Sequence, residues 1–355
     1  MGGETCVKGL GSRIKPKACV EEIKRAVKSG RLPQVLLDSG DGKKTHADEL
    51  CEGAVKGRDI DGFGSIESWL RWLEFSVVQL DERDYLIAAV HALRLAPRFA
   101  ATDYGTARMR DLGQLWTDAI RGFLGELAFA KWLKTRFDAS IELDYEKKSL
   151  EEALPTDVKC VNGKRPPFGV SIKTTKLGGV WLDVPYRQLE RSRVFILVRV
   201  GVTRYHFVSF LKVISVIRDK LLQLAVGGNL IGKTEAEEIW KSIPDFKPVI
   251  AYIAGFVDKQ DYSNVEDDKE SIILVEGKLT QKKFAIYKYL GWWHPDLSDK
   301  IKILCEIPQS VKIEFEGIKE FTRTWHFLAS SGVLKKSEKA WEQLISELER
   351  GTDTC

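Results

Sequence analysis

Apolar side chains recur at helical spacing in the first third of the chain. A short amphipathic stretch spans Cys19 to Val27, and a longer helical pattern runs from Ser65 to about Ala96. Such spacing is typical of helices that pack together through one apolar face. The residues that define the longer pattern are Trp69, Trp72, Leu73, Val77, Leu86, Val90 and Leu93.

One long helix is predicted from near Asp111 to Phe137, because apolar residues keep helical spacing over the whole segment and no proline interrupts it. Glu126 is the exception within this pattern. At helical spacing its carboxylate points into a mostly apolar neighbourhood, so the position requires an explanation. The neighbours concerned are Gly122, Phe123, Phe129 and Leu133.

After this helix the hydrophobic period changes to that of β-strands, separated by turn formers such as those in Asn162–Pro167. A mixed or antiparallel sheet flanked by helices is therefore predicted, which is an α/β (α+β) fold. The predicted strands are Ile141–Tyr145, Asp157–Val161, Phe168–Thr175, Val180–Val184 and Val194–Val200.

Helical and extended patterns alternate beyond Phe210. Two helices are expected first, then a buried strand, an acidic solvated loop at Asp258–Glu270, further strands, and a final helix that carries Trp341. The predicted helices are Val213–Leu224 and Thr234–Ser242, and the predicted strands are Val249–Val257, Ile272–Val275, Ile301–Ile307 and Val311–Phe315.

Charge and cysteine content narrow the classes of function. Of the 355 residues, 44% are hydrophobic and 30% charged, and the net charge of +4 excludes a wholesale polycation that coats nucleic acid. The six cysteines form no C-x-x-C pair, so a zinc module is not expected. Without a signal peptide or a membrane-spanning apolar run, we expect a soluble, cytoplasmic protein with reduced thiols.

Candidate chemistry lies on two predicted strands. Asp157 begins one strand, and Lys173 lies on the next, where Ser171 shares its face because side chains alternate. Mg²⁺ prefers carboxylate and carbonyl oxygens, and hydrolysis of a phosphodiester needs such a cation and a positioned water. Asp157, the Ile172 carbonyl and Lys173 are thus candidates for a hydrolytic centre.

In the order of these segments the chain resembles the PD-(D/E)xK nuclease superfamily, and most of all its type II restriction endonucleases. The resemblance covers about 110–210. Its motifs follow one another as Gly125–Ala128 on a helix, Pro155–Asp157 entering a strand, Ser171–Lys173 on the next strand, and then Trp181–Val184 and Val194–Val200.

Two positions depart from the family pattern. Thr156 separates Pro155 from the aspartate, and Ser171 stands where the family has its second metal-binding acid. Members with Ser-x-Lys recover that carboxylate from a downstream helix, which makes Glu190 a candidate here. Glu126 matches the helix glutamate of many members, and we prefer it because its apolar surroundings are harder to explain otherwise.

The resemblance implies a Mg²⁺-dependent endonuclease that cleaves double-stranded DNA, in which Asp157, Glu126 and the Ile172 carbonyl hold the metal. It further implies a restriction-endonuclease-like core at 111–257, between a helical N-terminal region at 1–110 and a mixed C-terminal region at 258–355 that could contact DNA. A homodimer that matches a palindromic site is expected. A structure-specific repair or junction nuclease would share the same site.

The segment Gly227–Thr234 fits the P-loop pattern G-x-x-x-x-G-K-[ST], so a nucleotide-binding ATPase is an alternative. A P-loop requires a buried strand before it, whereas the preceding residues predict an amphipathic helix. Thr234 and Glu237 are also spaced as a helix-capping box, which gives the segment a purely structural interpretation.

Basic residues flank the proposed site and could hold DNA phosphates, although an ordinary solvated surface explains them equally well. They are Lys159, Lys164, Arg165, Lys176, Arg187, Arg191 and Arg193. Trp292 and Trp293 could contact bases, but packing at a domain edge is the preferred interpretation. The five histidines show no ligand-like spacing, so most are expected at the surface or satisfied in the core.

Overall fold

The computed structural model describes residues 5–8, 14–39, 43–103, 111–145, 156–189, 191–261, 272–316, 318, 325–351 and 354–355. Helices and mixed sheets together build the protein, which confirms the predicted α+β class. No helix in these ranges is both long enough and apolar enough to span a membrane.

The helices lie along the whole described chain, and a single turn at Tyr186–Leu189 is the shortest. Their bounds are α1 (Pro16–Lys28), α2 (His46–Lys56), α3 (Ile66–Ser76), α4 (Glu82–Asp103), α5 (Leu112–Phe137), α6 (Tyr186–Leu189), α7 (His206–Val213), α8 (Gln223–Gly227), α9 (Lys233–Ser242), α10 (Leu297–Leu304) and α11 (Glu338–Leu348).

The strands are concentrated in the central and C-terminal parts. Their bounds are β1 (Thr5–Lys8), β2 (Val77–Leu80), β3 (Ile141–Leu143), β4 (Val158–Val161), β5 (Val170–Lys176), β6 (Trp181–Pro185), β7 (Val194–Val200), β8 (Val249–Asp258), β9 (Ile272–Leu279), β10 (Lys283–Trp293), β11 (Lys312–Phe315) and β12 (His326–Ser330).

A four-stranded sheet in the order β2-β8-β7-β5 forms the centre of the molecule. β5 runs parallel to β7, whereas β8 runs antiparallel to both β7 and β2. Every residue of β7 and β8 is buried, as their near-continuous apolar sequences predict for strands covered on both faces. The small antiparallel pair β3–β4 lies beside this sheet. The N–H of Asp157, directly before β4, donates to the carbonyl of Val170 on β5.

Helix α5 packs against the sheet, and α4 packs against α5. The C-terminal helix α11 joins the same core through Trp341, whose ring lies 4.8 Å from Trp132 and 4.5 Å from Phe256. β2, α5 and α11 come from three different parts of the chain, and their apolar faces share one core. The division at 110 and 257 stays a prediction about sequence organisation.

A second sheet of six strands has the order β1-β9-β10-β12-β6, with β11 paired to β10. Strand β6 belongs to this second sheet and not to the central one, because it pairs with β12 from Trp181 to Pro185. A separate small core lies on it, and α10 covers that core with Leu297 and Ile301.

Several local predictions were wrong. The segment Ile301–Ile307, predicted as a strand, forms the end of helix α10 and the residues that follow it. Leu297 and Ile301 form the buried face of this helix, and the β-branched residues of the segment made it resemble a strand. Val77 begins strand β2 instead of extending α3. Between Val213 and Leu224 the helix is broken at Ser215, whose positive φ of 59° interrupts a helical path.

The expectation of reduced thiols was also wrong, since all six cysteines are paired. Cys6 bonds Cys305, Cys19 bonds Cys51, and Cys160 bonds Cys355. Disulfides are typical of oxidising compartments, although intracellular proteins of hyperthermophiles carry them too. A cytoplasmic location therefore stays a prediction.

Candidate active site

Asp157 lies immediately before β4, where the hairpin meets the start of β5. Its N–H donates to the Val170 carbonyl at 2.8 Å, and its own carbonyl accepts from the N–H of Asp144 at 3.1 Å. These two main-chain bonds hold the residue between β5 and the end of β3. The residue is 9% exposed, so its carboxylate is placed at a largely shielded position.

The Asp157 carboxylate reaches across to β5. Oδ2 accepts a hydrogen bond from the Ile172 N–H at 2.7 Å and another from Ser171 Oγ at 3.1 Å. These two hydrogen bonds fix the orientation of the Asp157 carboxylate against β5. The structure thus brings together three of the residues selected from the sequence.

The Ile172 carbonyl lies at the same edge of β5 as Asp157. The N–H and C=O of one strand residue point to the same side of the strand, and the Ile172 N–H points to Asp157. The opposite edge of β5 is occupied by its pairing with β7. Ile172 can therefore offer a carbonyl oxygen beside the carboxylate, as expected from the sequence.

Lys173 follows on β5, opposite Leu197 of β7. Its side chain shares a face with Ser171, because side chains alternate along a strand. Lys173 is half-buried, whereas Lys176, three residues further along β5, is exposed. The ammonium group is thus carried on the face from which Ser171 contacts Asp157.

Glu126 is carried on α5 beside a close contact between this helix and β5. Thr174 Oγ1 donates to the Gly122 carbonyl at 3.3 Å, and a Cβ at Gly125 would overlap the Thr174 side chain. The absence of a side chain at Gly125 thus permits this close approach. Glu126 is the next residue and is only 6% exposed, which confirms the burial expected from its helical neighbours.

Tyr145 connects Glu126 to the Asp157 end of the hairpin. Burial and the negative charge of Glu126 both raise the pKa of the Tyr145 hydroxyl. Tyr145 directly follows Asp144, whose N–H donates to the Asp157 carbonyl. Glu126 therefore lies near Tyr145, and Tyr145 follows the residue that binds the Asp157 main chain.

An aromatic wall that the sequence did not reveal lies beside this group. The ring of His91 on α4 stacks on Tyr145 with centroids 3.7 Å apart, and Phe123 packs against both rings. Tyr145 lies at the end of a strand that was predicted, so its place near Asp157 could have been inferred. No sequence signal connects His91 with it.

Two residues of the predicted motif, Pro155 and Glu190, lie outside the described residues. Helix α6 ends at Leu189, immediately before Glu190. The choice between Glu126 and Glu190 as the second carboxylate therefore stays open, with Glu126 as the one whose burial the structure shows.

The basic residues around the site differ in their availability to DNA. Arg193 binds Asp258 at 2.6 Å and Glu347 at 2.7 Å, and Lys159 binds Glu142 at 2.7 Å. Lys164 and Arg165 are exposed on the turn that follows β4. This turn is the better candidate for phosphate contacts, whereas Arg193 has a structural role.

The donor atoms of the site are compatible with Mg²⁺. No cluster of three or more His, Cys, Asp or Glu side chains suited to a metal occurs among the described residues. Mg²⁺ usually keeps several waters and binds one or two carboxylates together with substrate phosphates. The Asp157 carboxylate and the Ile172 carbonyl supply hard oxygen ligands of this kind, and Glu126 is the candidate for a second carboxylate.

The segment Gly227–Thr234 does not follow a buried strand, which a P-loop requires. Helix α8 precedes Gly227–Thr234, as expected, and no strand leads into the segment. The predicted capping box was wrong: α9 begins at Lys233 with Gly232 as its N-cap, so Thr234 lies inside the first turn and cannot cap it.

Trp292 and Trp293 are 1% and 4% exposed, so they pack inside the protein and cannot contact bases.

Comparisons with family models, with curated proteins and with solved structures found no match. The nuclease resemblance therefore stays a prediction that rests on the residues and the geometry described above.

Proposed function

We propose that this protein is a Mg²⁺-dependent endonuclease that hydrolyses phosphodiester bonds of double-stranded DNA, with type II restriction cleavage as the preferred form. One observation carries the proposal: the Asp157 carboxylate is hydrogen-bonded to Ser171 and to the Ile172 N–H, directly before Lys173. A carboxylate and a carbonyl thus meet at the free edge of β5, and Lys173 lies on the face from which Ser171 contacts Asp157.

Asp157, Glu126 and the Ile172 carbonyl would hold the cation. A bound Mg²⁺ would polarise the scissile phosphate and acidify a water molecule. The Lys173 ammonium group orients that water and balances the negative charge that develops on the phosphate. Ser171 fixes the direction of the Asp157 carboxylate instead of supplying a second acid.

Double-stranded DNA is the proposed substrate, and the exposed Lys164 and Arg165, at the other end of β4 from Asp157, are the proposed phosphate contacts. The net charge of +4 means that such contacts must be local. A homodimer is proposed as well, because a two-fold symmetric enzyme matches a palindromic site.

The test is cleavage of supercoiled plasmid with and without Mg²⁺ by the wild type and by Asp157→Asn, Lys173→Met and Glu126→Gln. Each variant should lower the rate by about 100-fold or more, as expected when a group that stabilises the transition state is removed. Lys282→Met is the control, because Lys282 is an exposed lysine on the turn between β9 and β10 and is not one of the basic residues around the site. Wild-type cleavage by Asp157→Asn would disprove the proposed centre.

The same assay separates the alternatives. Discrete plasmid fragments support a sequence-specific enzyme, whereas cleavage restricted to branched or damaged DNA supports a repair or junction nuclease. Glu190→Ala measures the contribution of the second candidate acid. An ATPase that uses Gly227–Thr234 would lose activity in Lys233→Ala and keep it in Lys173→Met, the reverse of the result that we expect.

A further inference from the structure

Residues 217–242 form a helical hairpin. Its first arm runs through the helical segment Ile217–Leu222 into α8, and its second arm is α9. The chain reverses between the two arms at 228–232, inside the segment that has the P-loop pattern. Arg218 of the first arm binds Glu237 of the second at 3.4 Å, so the two arms lie side by side.

The helical hairpin buries very little of its own surface. Ile217 and Leu222, each 7% exposed, are its buried side chains, whereas α8 and α9 bury none. At its base Lys212 binds the Ile243 carbonyl at 2.7 Å and Asp245 at 2.8 Å. Helices this short are marginal in water unless an apolar face is packed. The described part of the chain does not supply that packing for α8 and α9.

Three leucines of the helical hairpin are exposed to an unusual degree. Leu221 is 63% exposed, Leu224 74% and Leu230 79%, although Leu222 between the first two is buried. Further exposed apolar side chains on the hairpin and at its base are Val213, Ile214, Val216 and Ile239. Single exposed apolar residues are normal, but a concentration of them in one structural element is typical of an interaction surface.

The charge of the helical hairpin excludes two kinds of partner. The segment 217–242 contains four cations and four anions, so its net charge is zero. DNA binding depends on an excess of Lys and Arg that neutralises phosphates. Helices that lie on anionic membranes likewise have a polar face rich in Lys and Arg. A protein surface is therefore the partner that this composition fits.

The two arms carry opposite net charges. The first arm has Arg218 and Lys220 against Asp219, a net charge of +1. The second arm has three glutamates against Lys233 and Lys241, a net charge of −1. Two-fold symmetry pairs a surface with itself, so each contact between two different elements occurs twice. The first arm of one copy against the second arm of another would thus be favourable at both contacts.

We propose that the helical hairpin docks on the same hairpin of a second copy of this chain, so that four helical arms enclose the exposed leucines. Bundles of four helices bury apolar side chains in this way. The proposal gives the homodimer proposed above its interface, and it rests on that homodimer but not on DNA cleavage. It also gives a role to the turn with the P-loop pattern, which carries Leu230 into the interface.

The test is sedimentation equilibrium of the full chain over a concentration series. The wild type should approach twice the chain mass of 40.2 kDa, with a Kd below about 10 µM. Leu221→Asp with Leu224→Asp should raise that Kd about 100-fold, because carboxylates would enter an apolar interface. Ile303→Asp is the matched control, since Ile303 is 71% exposed on α10, and it should leave the Kd unchanged. Tm measurements show that each variant is folded.

Reversal of charge tests the pairing of the arms. Glu235→Lys with Glu238→Lys makes α9 cationic, so cations would meet cations and the Kd should rise about tenfold. The proposal is overturned if the wild type stays a monomer, if the leucine or the glutamate substitutions leave the dimer intact, or if Ile303→Asp disrupts it equally. Binding to vesicles of anionic phospholipid that the leucine substitutions abolish would overturn it too.

Plasmid cleavage by the same samples keeps this proposal separate from the proposed function. A wild-type dimer that does not cut DNA would contradict the nuclease function and leave the interface standing. A wild-type monomer that cuts DNA would contradict the interface alone.

Discussion

Arg199 Nη1 lies 3.0 Å from Asp59 Oδ2, and both side chains are fully shielded from solvent. Arg199 also donates to Ser331 Oγ at 2.5 Å, and Lys336 lies 3.9 Å from the other Asp59 oxygen. One buried carboxylate thus serves two cations. It joins β7 to the segment after α2 and to the segment before α11.

Asp59→Asn should lower the free energy of unfolding by about 3–5 kcal/mol, because it leaves two buried cations without an anion. Glu21→Gln is the control, since it breaks a pair with Lys24 whose side chains are 61% and 44% exposed, and it should leave the free energy of unfolding nearly unchanged. Urea unfolding measures both. Equal effects of the two substitutions would contradict a structural role for Asp59.

Gly125→Ala should destabilise the protein by about 1–3 kcal/mol, because the new methyl group would push α5 away from Thr174. Gly122→Ala is the matched control on the same helix, where no atom lies within 4 Å of the added Cβ. It should stabilise the protein by up to about 1 kcal/mol through helix propensity. Thermal unfolding of both variants checks the opposite signs.

The same pair of variants tests the placement of Glu126. Displacement of α5 in Gly125→Ala should carry Glu126 away from Asp157 and slow plasmid cleavage. Gly122→Ala should cleave at the wild-type rate. If Gly125→Ala cleaves normally while its Tm falls, Glu126 does not contribute to the site.

Ser171→Ala should lower the cleavage rate by about tenfold, the effect of losing one hydrogen bond that positions a catalytic carboxylate. The Ile172 N–H still binds Asp157 Oδ2, so the loss should be smaller than in Asp157→Asn. Single-turnover cleavage at saturating Mg²⁺ measures the difference. A complete loss in Ser171→Ala would show that the serine contacts the substrate or the metal itself.

Acid should destabilise the protein in the window set by His206. Its folded pKa of about 4 lies below the unfolded value of 6.5, so the unfolded state binds the proton first as pH falls. The stability present above pH 6.5 should decline towards pH 4 by about 3 kcal/mol, in proportion to the pKa difference. Urea unfolding of the wild type and of His206→Asn across this range tests the decline, which should be smaller in the variant because His46 and His91, whose pKa values burial also lowers, are still present.

Much of the architecture could be predicted because it depends on local patterns. Helix α5 follows from uninterrupted apolar spacing, and β7 and β8 follow from short apolar runs. The approach of Asp157 to Ser171 and Ile172 could be predicted as well, since adjacent strands and alternating side chains leave few arrangements.

Other features depend on contacts between distant segments. Spacing alone does not determine which cysteines pair, so Cys160 gave no indication of Cys355. His46 and His206 meet only because α2 and α7 begin at one cavity, which both residues line. Strand β10 was missed because its buried and half-buried residues do not alternate regularly along Lys283–Trp293.

The two long disulfides also determine how the protein responds to a protease. Their spans, Cys6 to Cys305 and Cys160 to Cys355, overlap, so every peptide bond between Cys6 and Cys355 lies inside at least one covalently closed loop. A single cut anywhere in that interval leaves both fragments joined through sulfur. A nicked molecule should therefore migrate as one chain on a non-reducing gel and separate into two only after reduction.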